Sequence, residues 1–169
     1  MFKIISIILF FIISLNAYET EDKLKVVIVG KVAKYVTYKD NNLTNFTITV
    51  LNNPFGNLFD SVYYNKKIKS KPVKINYIKN IDDLNNTDIL YISNVDNEEL
   101  SNIIQKTNGK NILTVSDTRG FAQRGGVLQL YFVSQKLKLK INLNSAKEQS
   151  LKIKPTLLRI SDVVEGDQP

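Results

Sequence analysis

Cysteine and histidine are both absent from these 169 residues, and the two absences remove more chemistry than any motif adds. No Ser-His or Cys-His nucleophile can exist, and no zinc site built on Cys or His ligands. Enzymatic options would need paired carboxylates or lysine-assisted chemistry. No disulfide can form either, so the fold must be held by its core. Glycine is scarce at 7 residues, yet Gly120, Gly125 and Gly126 crowd into one short segment, "SDTRGFAQRGG". What is present in quantity is apolar surface. A hydrophobic content of 43% over this length supports one ordinary core, hence a single domain.

The opening "MFKIISIILFFIISLNA" carries one lysine, an unbroken apolar run from Ile4 to Ile13, and then Ser14, Asn16 and Ala17. That layout reads as a secretory signal over residues 1–17, cleaved after Ala17, although Leu15 is bulkier than such sites prefer. A membrane anchor is the other reading, but the run falls short of the roughly 20 residues that cross a bilayer. Residues 18–169 then form the domain. The chain has a net charge of +7, and loss of the signal removes only Lys3 from that count. Export argues against a nucleic-acid partner, and the lysines alternate along strand-like segments without interleaved stacking aromatics, so the charge reads as a solvated face. Weak attraction to an anionic membrane or an acidic partner is the functional alternative.

Apolar spacing of three and four from Glu19 to Lys39 predicts an amphipathic helix interrupted by Gly30. "NFTITVL" alternates as a first strand, and "NNPFG" predicts a helix with Asn53 as cap, Pro54 as first residue, and Leu58, Phe59, Val62 and Tyr63 inside. "PVKINYI" (72–78) is the second strand; "DILYIS" is the third, its contiguous apolar residues implying burial on both faces. Asp96 or Asn97 caps the helix "NEELSNIIQKTNG", which stops at Asn108 and Gly109. "NILTVS" is the fourth strand. Strands separated by helices imply parallel pairing with helices on both faces, a three-layer αβα sandwich with a mostly parallel sheet. "VLQLYFV" and "KLKLKINL" then predict an antiparallel hairpin at one end of the sheet. Lys136, Lys138 and Lys140 share one face of it, either as a solvated edge that discourages pairing or as a contact surface. A short helix, a break before Pro155, and a second helix through Leu157, Leu158, Ile160, Val163 and Val164 complete the chain.

The loop after the fourth strand carries Ser116, Asp117, Arg119, Gly120, Phe121, Arg124, Gly125 and Gly126. Its Gly120-to-Gly125 spacing fits the start of a phosphate loop, but Gly126 and Val127 stand where the phosphate-binding lysine and magnesium-binding hydroxyl must be. A strand follows it, not a helix whose N-terminus could hold phosphate. An acid or base role for Asp117 needs a second titrating group, for which Asp88, Asp162 and Glu165 are possible partners. A polar loop at the C-terminal end of a strand in an open α/β sheet is the expected place for a ligand, and also a place where Ser and Asp cap backbone. Asn42 and Asn85 each begin an Asn-x-Thr sequon. No metal or cofactor site is expected.

The residues resemble the YfiR family of periplasmic regulators over nearly the whole mature chain. "KVVIVGKVAKYVTY" resembles that family's opening helix, "ITVLNNPFG" its first strand and helix start, and "DILYIS", "ILTVSDTRGFAQRGG" and "INLNSAKEQSLKIKPTLLRISDVV" its later blocks in order. Three departures stand out: Gly30 replaces an aromatic, Tyr38-Lys39 replaces Trp-Pro, and Thr87 stands where many members have a cysteine, which argues against redox-linked regulation. The resemblance implies a non-enzymatic regulator, often dimeric, that binds and represses the periplasmic part of an inner-membrane signalling protein, a diguanylate cyclase or a sensor kinase. The competing expectation is a periplasmic protein that binds a small molecule or anion through loop 116–126, with Arg119 and Arg124 making charge-assisted contacts.

Overall fold

A computed structural model describes residues 21–39 and 43–165; the expected signal segment and Asn42 lie outside them. The chain is helical through 21–33 (α1) and continues as β1 (Val36–Thr37), β2 (Phe46–Leu51), α2 (Leu58–Tyr63), β3 (Lys67–Ile68) and β4 (Lys71–Ile78). A 3₁₀ turn over Ile81–Asp83 leads to β5 (Ile89–Ile92), α3 (Asn97–Thr107) and β6 (Leu113–Ser116). Then come β7 (Leu128–Val133), β8 (Lys136–Asn142), α4 (Leu143–Glu148), β9 (Lys152–Ile153), α5 (Pro155–Leu158) and β10 (Asp162–Val164).

Eight strands form the main sheet in the order β10-β8-β7-β6-β5-β2-β4-β3. β4, β2, β5, β6 and β7 run parallel, with α2 between β2 and β4 and α3 between β5 and β6, and β7 and β8 are the antiparallel hairpin. The chain moves from β2 outward to β4 through α2, then returns to the other side of β2 for β5 and β6 through α3. The order therefore reverses between β2 and β5, and right-handed crossovers in opposite directions put α2 and α3 on opposite faces.

The two faces are covered unequally. On the first, α1, α2, α4 and α5 pack a large core over Phe46, Ile48, Val50, Tyr91 and Val115. On the second, α3 and the 3₁₀ turn cover a smaller cluster around Leu51, Leu90, Ile92 and Ile103. The fold is thus three-layered, with one thick helical layer and one thin one. β2 and β5 are buried along their whole length, as contiguous apolar runs require of a sheet packed on both sides.

Gly30 has a specific reason to stand inside α1. The Tyr63 hydroxyl inserts into the helix ladder, accepting from the Gly30 N–H at 2.7 Å and donating to the Val26 carbonyl at 2.7 Å. A Cβ on Gly30 would lie 2.5 Å from that hydroxyl, inside contact distance. Burial holds the Tyr63 phenol far above its ordinary pKa, with the Gly30 hydrogen bond opposing the shift. A tyrosine from α2 thus takes up the space an aromatic on α1 would fill.

Four local expectations are corrected. The first helix ends at residue 33, because Val36 and Thr37 pair with Ile153 and Lys152 in a two-stranded ribbon. The "NNPFG" helix begins at Leu58, with Asn57 at its cap position; Asn53 instead closes a turn, accepting from the Phe55 N–H at 3.0 Å and donating to the Gly56 carbonyl at 2.7 Å. The β7–β8 hairpin is not the sheet's last element, since β10 adds in parallel to β8. Val163 and Val164 accordingly belong to a strand, and the C-terminal helix stops at Leu158. By contrast α3 is capped by Asp96, one of the two expected candidates, which accepts from the Glu99 N–H at 2.8 Å, while Asn97 is the first helical residue.

Candidate functional site

β6 delivers Ser116 to the C-terminal edge of the sheet, and from there the chain turns without regular structure to β7. Ser116 is fully buried. Its Oγ accepts from the Thr118 N–H at 3.0 Å and donates to Thr118 Oγ1 at 3.0 Å, which bends the chain sharply after the strand. Asp117 points away from this turn toward α1, where its carboxylate meets Lys25 Nζ at 2.7 Å; Asp22 approaches the same ammonium at 3.4 Å. Burial disfavours the Lys25 charge, but the hydrogen bond and charge of Asp117, with Asp22, outweigh it and raise the pKa. The Tyr91 hydroxyl is buried beside the pair with no hydrogen bond of good geometry. Its burial, and then the Asp117 charge, hold the phenol protonated well beyond its ordinary range.

Phe121 anchors the loop. Its side chain is fully buried in the α3-side cluster with Leu90, Ile92 and Ile103. Gly126 lies against the ring so closely that a Cβ there would be 2.1 Å from Phe121 Cε1. The Gly126 N–H donates to the Phe121 carbonyl at 3.0 Å, so ring and backbone lock as one unit. Gly125 has φ +95°, a conformation that side chains resist. Neighbouring strands satisfy three more backbone groups: Asn142 Nδ2 donates to the Ala122 carbonyl at 2.7 Å, Gln129 Oε1 accepts from the Ala122 N–H at 3.4 Å, and Thr114 Oγ1 accepts from the Val127 N–H at 3.0 Å.

The two arginines part company. Arg124 turns back on its own loop, donating to the Gly120 carbonyl at 3.3 Å and the Arg119 carbonyl at 2.8 Å, and it reaches Asn97 Oδ1 at the start of α3. Arg119 is exposed. The fold brings none of the considered acids to Asp117. Asp88 sits at the opposite end of the sheet, accepting from the Thr47 N–H at 2.8 Å; Asp162 accepts from the Tyr131 hydroxyl, and Glu165 lies beyond β10. Lys25 is Asp117's partner instead, and sequence spacing contains no signal for it because α1 and the loop meet only through the fold. Asn142 and Gln129 were likewise invisible as loop supports. Asn85 is exposed beyond the 3₁₀ turn, and Lys136 and Lys138 are exposed on the hairpin while Lys140 lies over the Tyr131 ring at 5.4 Å. Among the described residues no group of three or more acidic side chains could hold a metal ion, and no helix is long and apolar enough to cross a membrane.

With α2 and α3 on opposite faces the sheet is doubly wound, and loop 116–126 lies at the C-terminal end of β6. The family model described as YfiR/HmsC-like matches residues 22–162, and the chain belongs to that family, one of periplasmic regulators. No curated protein matches the sequence. Two solved structures share the fold. A conserved domain protein from Vibrio cholerae has a TM-score of 0.58 at 13% identity, over 83% of this chain and 59% of that one. A Streptococcus pneumonia ABC domain in complex with L-Trp has a TM-score of 0.53 at 10% identity, over 80% of this chain and 59% of that one. The matches span less than two thirds of either structure's own chain.

Proposed function

We propose that this protein is exported to the periplasm and there binds the periplasmic part of an inner-membrane signalling protein, such as a diguanylate cyclase, holding it inactive. The family match over residues 22–162 carries the reading. The strand-end loop is compatible with it: Ser116, Phe121, Arg124 and Gly126 spend their groups on shaping the loop, which suits a rigid contact surface. The mechanism is differential binding. The regulator shifts the partner only by the ratio of its affinities for the inactive and active states. Deleting the gene should raise cyclic di-GMP and biofilm. Unchanged levels, with no membrane partner recovered by cross-linking, would remove the reading.

A second reading takes the loop as a small-molecule or anion site. It is favoured by one shared fold whose structure was solved with L-Trp and by the exposed Arg119. A ligand that binds the folded state raises its melting temperature by mass action, so a thermal-shift screen of metabolites tests it. Arg119→Ala should abolish a genuine shift; a shift that persists places the ligand elsewhere.

A further inference from the structure

α3 covers only the middle of the second sheet face. Beside it, over β2 and β4, lies an open cleft of about 1530 Å³ whose floor includes Thr47, Thr49, Lys74 and Asn76. The floor is polar, but its buried hydroxyls are engaged: Thr49 Oγ1 donates to Thr87 Oγ1 at 2.9 Å, and the Thr87 hydroxyl in turn reaches the Ile89 carbonyl at 2.9 Å. Among the described residues, Lys39, Lys74, Lys79 and Lys110 line the cleft with one acid, Asp83, and none of the four forms an ion pair.

The cleft runs to an unfinished edge. β3 pairs only Lys71 and Pro72 of β4, and the Val73 N–H reaches the Lys66 carbonyl at 3.0 Å on that same outer side. In a parallel ladder a residue presents its N–H and C=O to one side, alternating along the strand. The Ile78 carbonyl faces β2, accepting from the Asn52 N–H at 3.1 Å. Ile75 and Tyr77 therefore present their backbone groups outward, where no described strand meets them. Side chains alternate too: Lys74 and Asn76 stand on the cleft face, Ile75 and Tyr77 on the other, where Tyr77 is 41% exposed.

We propose that this edge docks an extended segment of a partner protein that adds as a strand to β4, with acidic residues on its cleft face alternating with apolar residues beside Ile75 and Tyr77. Backbone pairing supplies affinity in such strand addition, and the alternating side chains supply selectivity. Lysines on an edge also discourage indiscriminate pairing. Here the two roles coincide, since charges that repel a basic strand select an acidic one. The inference deepens the proposed regulatory role by stating what the partner must present, and it rests on that reading only for the partner's identity.

The test uses the full chain and a fluorescein-labelled peptide of alternating Glu and Val, about six residues long, followed by anisotropy at low salt and at about 0.15 M salt. Binding should weaken about tenfold in K74E/K79E, disappear when alternate peptide amides are N-methylated, and slow hydrogen exchange at Ile75 and Tyr77. A Lys-Val peptide that binds equally well, or an N-methylated one that binds unchanged, would overturn the proposal. If the peptide fails while gene deletion still raises cyclic di-GMP, the docking edge falls and the regulatory reading stands. If the peptide binds and deletion changes nothing, the regulatory reading falls instead.

Discussion

Loop 116–126 and the β2–β4 cleft are opposites in how they use polar groups. The loop is conspicuous in sequence, with three glycines and two arginines, yet the structure consumes most of that chemistry internally. Arg124 satisfies two loop carbonyls, Asp117 is paired with Lys25, and the ring of Phe121 occupies the space that Gly126 leaves free. The cleft is built from ordinary lysines, threonines and asparagines, yet its four lysines remain without acidic partners among the described residues. An unusual local composition marks a geometric demand. A surface available for recognition is marked by groups that the fold leaves over.

The largest expected effect attacks the loop's anchor. Phe121→Ala should cost about 4 kcal/mol by opening a cavity in the α3-side cluster, and Gly126→Ala about 3 kcal/mol by forcing a methyl into the ring. Because both act on one contact, the double variant should lose much less than the sum, since removing the ring makes room for the methyl. Urea denaturation of the four proteins measures this; simple additivity would mean that the ring and glycine do not share the space.

Next comes the pair that ties the loop to α1. Asp117→Asn should cost about 2 kcal/mol, the scale of a charge-assisted hydrogen bond in a half-buried setting. The pH dependence follows from the raised pKa values of Lys25, Tyr91 and Tyr63. A group whose pKa is raised by folding contributes stability that is complete below its unfolded value and is lost as pH rises through the folded one. Stability should therefore hold from neutral pH to about 10 and fall above it, and the fall should be shallower in Tyr91→Phe. Chemical denaturation at stepped alkaline pH checks the sign; a decline that begins below pH 9 would contradict it.

Smaller effects separate the two arginines. Arg124→Ala should destabilise by about 1 kcal/mol through its lost hydrogen bonds, whereas Arg119→Ala should stay within about 0.5 kcal/mol. Smallest of all, K74E/K79E should leave the melting temperature nearly unchanged, since these side chains are exposed and make no ion pair among the described residues. A large destabilisation there would show that the cleft lysines serve the fold, and the contrast with the loop would collapse.

Much of the fold was legible because periodicity and burial agree along the central strands. "TITVL" and "ILYI" are apolar enough to be recognised as buried in a parallel sheet, and Asp96 announces α3 by its cap. Reading failed where spacing was ambiguous. Leu157, Leu158, Ile160 and Val163 recur at helical intervals, yet Val163 pairs with Ile141, because the open edge of β8 outcompetes a weak local preference. Val36 fits the stripe of α1 equally well, and pairing with Ile153 ends the helix. The candidate site was legible as a position, a polar loop at a strand end, but its internal partners were not. Lys25, Gln129 and Asn142 come from elements whose packing against the loop leaves no trace in local spacing.

By itself the sequence determined the chemistry that is closed to this protein and the order of its central elements. The lack of cysteine and histidine is a property of composition, and the alternation of buried strands with amphipathic helices is a property of local pattern. Only the tertiary structure decided which charges are spent and which are left free. Whether a lysine meets a carboxylate depends on which strands become neighbours, and that order is set by crossovers and core packing over the whole chain. Thus "SDTRGFAQRGG" announces its backbone demands from sequence, while the lysines over β2 and β4 become a surface only when the sheet assembles and α3 leaves that flank open.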